Sequence, residues 1–297
     1  MALADAATMT EDEQNEMIAG MVQRLHDRLI EEPNDTDGWI RLARAYNVLG
    51  QAENALDALT NGAKVIVLEQ EKLSPRGVVT FVVKDSRKAL SFLMAAAWGD
   101  PQKKLPFVGI TGTNGKTTTS LAAQSIFKSF GVKCGVIGTL GYHNGLCWKK
   151  TKHTTPDAEV LLQIISEMVD HKVDVVVMEV SSHSLVQGKV APIVFSSAVF
   201  TSFSHDHLDF HGSEKKYFAA KWMLFERYLA SGGVSILHES LLSRVPQDWL
   251  LTHKTWAYSV NKTELKTHKG VNFFRGNAFS PENFSPVSIL SKEAFSG

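Results

Sequence analysis

The sequence predicts an α/β protein: a parallel sheet flanked by helices and carrying a phosphate loop, preceded by a small all-α helical module. Three observations predict it. Up to about residue 60, apolar residues recur at helical spacing without a β-branched run. From about residue 64, short β-branched runs alternate with helical patterns, as in βα units. Between one such run and the next helix stands a Gly-rich stretch ending in Gly115-Lys116-Thr117.

The elements follow in order. Residues 1–10 are expected to be disordered. Met17, Met21, Leu25 and Leu29 recur every four residues and mark one stripe of a helix. Pro33-Asn34-Asp35 breaks it, and Asp35, Thr36 or Asp37 can cap the next helix. Trp39, Leu42, Tyr46 and Leu49 form a second stripe, closed by Gly50, and a third helix turns Ala55, Leu56 and Leu59 inward. Strands are expected at 65–68, 78–83, 107–110, 134–137, 173–180, 194–200 and 234–237. Helices are expected at 87–98, 120–130, 158–170 and 217–229.

Composition narrows the class. The 297 residues, 44% hydrophobic and 21% charged, fit about two globular domains. Two cysteines, Cys134 and Cys147, are too few for a disulfide framework and suit a reducing compartment, so a cytoplasmic location is expected. No apolar run reaches the roughly 20 residues of a membrane span. The first 60 residues hold 12 acidic and 4 basic side chains, a net of −8, and the remainder carries +8. That asymmetry marks a separate acidic module. No Lys/Arg stripe interleaved with aromatics points to nucleic acid.

The phosphate loop is Gly109-Ile110-Thr111-Gly112-Thr113-Asn114-Gly115-Lys116-Thr117-Thr118. Its glycines let backbone N–H groups close around phosphate oxygens, and the helix N-terminus adds its positive dipole end. Lys116 is placed to reach the β/γ-phosphates and Thr117 to bind Mg²⁺. The spacing is the shorter G-x-x-G-K-T, because Ile110 breaks the longer form. Glu179 ends a predicted buried strand, where α/β folds place ligands, and is a hard oxygen donor suited to Mg²⁺. His205, His207 and His211 alone could suggest zinc, but their spacing lacks a Cys/His zinc pattern.

Two resemblances follow from longer motifs. Trp39-x-x-Leu42-x-x-x-Tyr46-x-x-x-Gly50-x-x-x-x-Ala55 resembles a tetratricopeptide repeat, and residues 16–59 are similar to the repeat region of cytochrome c biogenesis proteins. This implies a helical hairpin with a surface for a protein partner. Residues 78–240 resemble the central ATPase domain of the Mur ligases, MurE type. The resemblance rests on the loop Thr111–Thr118, on Asp85-x-Arg87-x-Ala89-Leu90 and on Thr154-Thr155-Pro156. It rests also on Met178 through Gln187, on Asp206 through Gly212 and on Ala219-Ala220-Lys221-Trp222.

The Mur resemblance implies ATP and Mg²⁺ as cofactors. It also implies an ATP-driven ligation that joins a diamino acid to UDP-N-acetylmuramoyl-L-alanyl-D-glutamate through an acyl phosphate, in peptidoglycan precursor synthesis. ATP is expected on Gly112, Thr113, Asn114, Gly115, Lys116, Thr117 and Thr118. Lys116, Glu179, His207 and Lys221 are the implied catalytic residues. Thr117, Glu179, His207 and a carbamylated Lys221 are the implied Mg²⁺ ligands. Thr154, Thr155, Ser181, Gln187 and Lys189 are the implied substrate contacts, Lys189 standing where the family usually has Arg.

The expected organisation is an acidic helical module at 1–63, a remnant of a substrate domain at 64–104, the ATPase domain at 105–260 and an irregular end at 261–297. No Asp-Asn-Pro-Arg motif of the family's C-terminal domain occurs. The expectation is therefore a truncated or fused ligase that retains ATP binding but not complete ligation. Two other readings stand beside it. One is a helical-repeat interaction protein of cytochrome c maturation, resting on residues 16–59; the other is a folylpolyglutamate synthase-like ligase, which shares the loop.

Overall fold

The computed structural model describes residues 11–48, 52–62, 65–70, 79–259 and 271–274. Contacts divide the chain into two units, Met1–Ala89 and Leu90–Gly297. The expected disorder at 1–10, the closing Gly50 and the position of Leu49 lie outside the described residues, as do the side chains of Leu56 and Leu59.

The first unit holds α1 (Glu11–Glu31), α2 (Thr36–Val48) and α3 (Ala52–Gly62), then the parallel pair β1 (Val65–Leu68) and β2 (Val79–Val82). Val22, Leu29, Trp39, Leu42, Ala43, Tyr46, Ala55 and Ala58 form its helical core. The α1 stripe differs from expectation: Met21 is 50% exposed and Val22 is buried in its place. A strict four-residue spacing advances about 40° beyond a full turn at each step, so the stripe rotates off the core face. Asp35 is the cap used, its Oδ1 accepting from the Gly38 N–H at 2.8 Å. Asp35→Ala should therefore destabilise this unit by about 1 kcal/mol, read from a denaturant melt. The exposed Arg28–Asp35 ion pair at 2.8 Å adds little to that figure.

α4 (Ser86–Ala97) leads into the second unit and stops at Gly99 and Asp100, both with positive φ, before Pro101. Then come β3 (Phe107–Thr111), α5 (Lys116–Ser129), β4 (Cys134–Gly138), β5 (Gly141–His143), β6 (Trp148–Lys149), α6 (Ala158–Asp170) and β7 (Val175–Glu179). The chain continues as α7 (Ser182–Val186), β8 (Phe195–Phe200), α8 (Leu208–His211), α9 (Glu214–Tyr228), β9 (Leu229–His238), α10 (Gln247–Thr252), β10 (Lys254–Tyr258) and β11 (Val271–Phe274). Among the described residues one nine-stranded sheet results, ordered β11-β10-β9-β8-β3-β7-β4-β5-β6. All pairings are parallel except β4–β5 and β5–β6, which are antiparallel.

The parallel α/β expectation holds for the body of the sheet, with additions at both edges. The β5–β6 hairpin on one edge is made of strands too short to show a period in the sequence. On the other edge, β10 is not among the expected strands, and β11 comes from the 261–297 stretch expected to be irregular; the rest of that stretch is outside the described residues. The central strands are covered on both faces, so β7 reads Val-Val-Val-Met-Glu with every residue buried. Helix α6 buries Leu161, Leu162, Ile164, Ile165 and Met168, a stripe at helical spacing. Each such side chain contributes about 1.5–3 kcal/mol when fully buried.

Candidate functional site

Strand order fixes where a ligand can bind. β3 lies between β8 and β7, and β7 in turn pairs with β4. The carboxyl ends of these four strands therefore open side by side, the place where doubly wound sheets hold ligands. They deliver the loop after Thr111, Thr201 after Phe200, Glu179 itself, and Thr139 after Gly138.

The loop 112–115 joins β3 directly to α5, which begins at Lys116 rather than at residue 120 as expected. Gly112 has φ 147° and Gly115 φ 86°, both outside the range that side chains favour. A Cβ on Gly112 would also stand 2.0 Å from Thr201 Oγ1. The segment after β8 braces the loop. The Thr113 N–H donates to Ser202 O at 2.8 Å and the Asn114 N–H to Ser202 Oγ at 2.9 Å. Thr201 Oγ1 donates to Asn114 O at 2.6 Å. Two loop N–H groups are thus held by Ser202, and the first turn of α5 has no side-chain cap and no acidic residue. That open turn, bearing Lys116, Thr117 and Thr118, suits an anion.

Two lysines converge on one carbonyl. Lys116 Nζ donates to Gly112 O at 2.7 Å and to Thr113 O at 2.9 Å. Lys221, on α9, donates to the same Gly112 O at 2.9 Å. Lys221 is only 2% exposed, and its ammonium lies 4.4 Å from the centroid of the Tyr217 ring. Burial, with the Lys116 charge beside it, pushes the Lys221 amine down to about 7. Burial also lowers Lys116, against the opposing pull of Glu179 and Asp206.

Glu179 is 1% exposed, and among the described residues its carboxylate accepts four hydrogen bonds. Thr117 Oγ1 donates to Oε2 at 3.0 Å and Ser120 Oγ to Oε1 at 3.4 Å. Thr139 donates its N–H to Oε1 at 3.2 Å and its hydroxyl to Oε2 at 3.0 Å. Gly138 makes room for this carboxylate, since a Cβ there would lie 2.1 Å from Glu179 Oε1.

The expected substrate residues sit around the same strand end. Thr155 Oγ1 donates to Glu179 O at 3.0 Å and accepts from the Ser181 N–H at 3.1 Å. Ser181 caps α7, accepting from the Ser184 N–H at 3.2 Å, and Gln187 closes the same helix with its N–H on His183 O at 2.8 Å. Thr154 Oγ1 lies 3.1 Å from Thr139 Oγ1. Lys189 pairs with Asp157 at 2.7 Å.

The structure brings Thr117 to Glu179, and Lys116 to Lys221. It does not bond His207 to any other expected site residue: Nε2 faces Asp206 Oδ2 at 3.4 Å, and its ring lies 5.0 Å from that of His183 and 6.1 Å from Tyr217. His207 itself adopts φ 50° at the head of α8. His211 Nε2 meets Ser182 Oγ at 3.0 Å, tying α8 to the start of α7. Among the described residues no three His, Cys, Asp or Glu side chains gather as a metal cluster. Thr117 and Glu179 form an all-oxygen pair that fits Mg²⁺, which takes one or two protein oxygens and completes its shell with phosphates and water.

Ser120, Thr139, Thr201, Ser202 and Tyr217 were not singled out from the sequence. Thr139 had a faint signal in the Gly138-Thr139 step at the end of a strand. The others had none, because their partners in the loop and at Glu179 lie 59 to 104 positions away along the chain.

A family model described as the Mur ligase middle domain matches residues 110–284. The UDP-N-acetylmuramoyl-L-alanyl-D-glutamate–2,6-diaminopimelate ligase of Clostridium botulinum is 43% identical over 175 residues, 58% of this chain and 36% of that protein. The ligase of the same name from Clostridium perfringens is 34% identical over 238 residues, 77% of this chain and 49% of that protein. The chain thus spans less than half the length of these relatives. A solved structure of a UDP-N-acetylmuramoyl-L-alanyl-D-glutamate–2,6-diaminopimelate ligase superposes with TM-score 0.58 and 27% identity, covering 72% of this chain and 44% of the other.

Proposed function

Since the chain belongs to the Mur ligase family through its middle domain, we propose that it binds ATP with Mg²⁺ and serves the phosphoryl-transfer stage of an amide ligation in peptidoglycan precursor synthesis. In that reaction a carboxylate of UDP-N-acetylmuramoyl-L-alanyl-D-glutamate attacks the γ-phosphorus of ATP and ADP leaves. The amine of a diamino acid, meso-diaminopimelate or lysine, then displaces phosphate from the acyl phosphate. The relatives' names support the substrate class. The observation that favours the reading most is the 3.0 Å bond between Thr117, at the head of the loop helix, and Glu179, at the end of the neighbouring strand.

The chemistry sets two anions against each other, so the site must supply positive charge. Bound Mg²⁺ would neutralise phosphate oxygens as charge moves to the leaving ADP. Thr117 and Glu179 are the residues proposed to hold it, with His207 and a carbamylated Lys221 proposed for a second ion. Lys116 is proposed to leave the Gly112 and Thr113 carbonyls for the β/γ-phosphates. The first-turn N–H groups of α5 orient the same phosphates. Thr154, Thr155, Ser181, Gln187 and Lys189 are proposed to position the sugar-linked dipeptide. For Lys189 to reach an anionic substrate it must give up Asp157, an exchange that a partly exposed ion pair permits at small cost. A reducing cytoplasm is the proposed setting, and among the described residues no helix is long and apolar enough to cross a membrane.

Lys221 supplies a test of its own. Carbamylation requires the neutral amine: its lone pair adds to the carbon of CO₂, one C–O π pair moves onto oxygen, and the nitrogen sheds a proton. An ordinary lysine is almost wholly protonated at neutral pH. Lys221, lowered to about 7, is about half neutral there. With ¹³C-labelled CO₂ held at constant activity, the carbamate signal should rise at a distinctly lower pH than that of an ordinary exposed lysine, because less of the Lys221 amine is held as ammonium, and it should vanish in Lys221→Arg. A rise only above pH 9 would show that the amine is solvated and would remove Lys221 from the proposed site. The function as a whole is tested by calorimetry: ADP affinity should be at least tenfold tighter with Mg²⁺ than with a chelator. Absence of any nucleotide binding would end the reading.

A further inference from the structure

We infer that Thr139 is a positioning residue that couples the Glu179 carboxylate to the substrate-side hydroxyl of Thr154. This rests on the reading of Glu179 as a metal carboxylate and of Thr154 as a substrate contact. Proton count fixes the direction of the bonds. A threonine hydroxyl has one proton and two lone pairs, and an ionised carboxylate only accepts. Thr139 Oγ1 lies 3.0 Å from Glu179 Oε2 and 3.1 Å from Thr154 Oγ1. Its single proton goes to the carboxylate, so it must accept from Thr154. The chain of bonds runs Thr154 to Thr139 to Glu179, and Thr154 presents only lone pairs outward.

A cation on Glu179 reverses this polarity. Oε2 already takes two donors, Thr117 and Thr139. A divalent ion binding that oxygen competes for the same lone pairs. Thr117 can turn its own oxygen to the ion, whereas Thr139 is released and can donate to Thr154. Thr154 then has its proton free for an anionic ligand. The Thr139 N–H, at 3.2 Å from Oε1, holds the carboxylate in place throughout. The pair of hydroxyls sits at the exposed rim above a buried carboxylate, so a ligand can reach Thr154 while Glu179 stays dry. The outcome is that ion binding converts the substrate side from acceptor to donor, a coupling that must act equally in both directions.

The test measures the affinity of UDP-N-acetylmuramoyl-L-alanyl-D-glutamate by calorimetry with and without Mg²⁺ and ADP, in the native chain and in Thr139→Val, Thr139→Ala and Thr139→Ser. Val and Ala remove the hydroxyl but keep the N–H, and Ser restores the hydroxyl. In the native chain, Mg²⁺–ADP should tighten the dipeptide ligand at least fivefold. In both hydroxyl-less variants that factor should fall to within twofold of unity, and Ser should restore it. A native-like factor in Thr139→Val or Thr139→Ala overturns the inference, as does a native chain that binds both ligands without coupling. A native chain that binds neither overturns the functional reading as well, and the two failures are told apart by the native chain alone.

Discussion

Lys116→Ala should abolish measurable nucleotide binding while leaving the fold intact. Lys116 heads α5 with its ammonium on the loop's own carbonyls, 2.7 Å from Gly112 O and 2.9 Å from Thr113 O. Its proposed partners are the β- and γ-phosphates, and a charge-assisted bond is worth roughly 1.5–3 kcal/mol. Losing two such contacts implies an affinity loss on the order of 100-fold or more, at about 1.4 kcal/mol per decade. Lys221 cannot substitute, since it is anchored on α9 against the Tyr217 ring. Calorimetric titration with a non-hydrolysable ATP analogue and Mg²⁺ gives the answer, beside a thermal melt to show that the variant is folded. An unchanged dissociation constant would mean that the loop does not face the nucleotide.

The second large effect is expected from one methyl group. In Gly138→Ala the new Cβ would stand 2.1 Å from Glu179 Oε1, 2.6 Å from Cδ and 2.9 Å from Cγ. The backbone cannot withdraw, because Cys134–Ile137 is paired in register with Val175–Met178 in the middle of the sheet. The carboxylate must therefore move and lose bonds from Thr117, Ser120 or Thr139. Overpacking costs about 1–3 kcal/mol, and a buried acceptor stripped of donors costs about the same again. The expected result is a melting point several degrees lower and loss of most of the Mg²⁺ dependence of ADP binding, at least tenfold. Metal-free ADP affinity should change little, since Lys116 and the α5 N-terminus are untouched. Retention of full Mg²⁺ dependence would show that Glu179 is not the metal carboxylate.

Much of this was legible along the chain. Alternating β-branched runs and helical stripes specify an α/β unit because local periodicity follows directly from backbone geometry. The loop could be read for the same reason: strand, glycines, Lys116, Thr117 and helix are contiguous, so their spacing in sequence is their spacing in space. Helix α6 matched its expected bounds of 158–170 because its period is unbroken and Pro156 and Asp157 precede it.

The departures have physical causes. Met21 and Val22 exchanged roles because a helix winds at 3.6 residues per turn, not four. The β5–β6 hairpin escaped notice because three and two residues carry no period. The start of α5 was set four residues late because a Thr-rich turn has weak helix propensity, whereas the fold begins the helix at the loop.

What could be read along the chain was the βα body of the sheet and the residues whose chemistry is local: the glycines, Lys116 and Thr117 of the loop. The tertiary structure decided the rest. It alone shows that Lys221, which as a bare helix lysine would pass for solvated, is buried against Gly112 O from 109 positions away. It alone places Thr139 between Glu179, 40 positions distant, and Thr154, 15 positions distant. The reason is the order of strands. Residues far apart in the chain meet only because β4, β7, β3 and β8 lie side by side with their carboxyl ends together, and no pattern along one strand reveals which strand lies next to it.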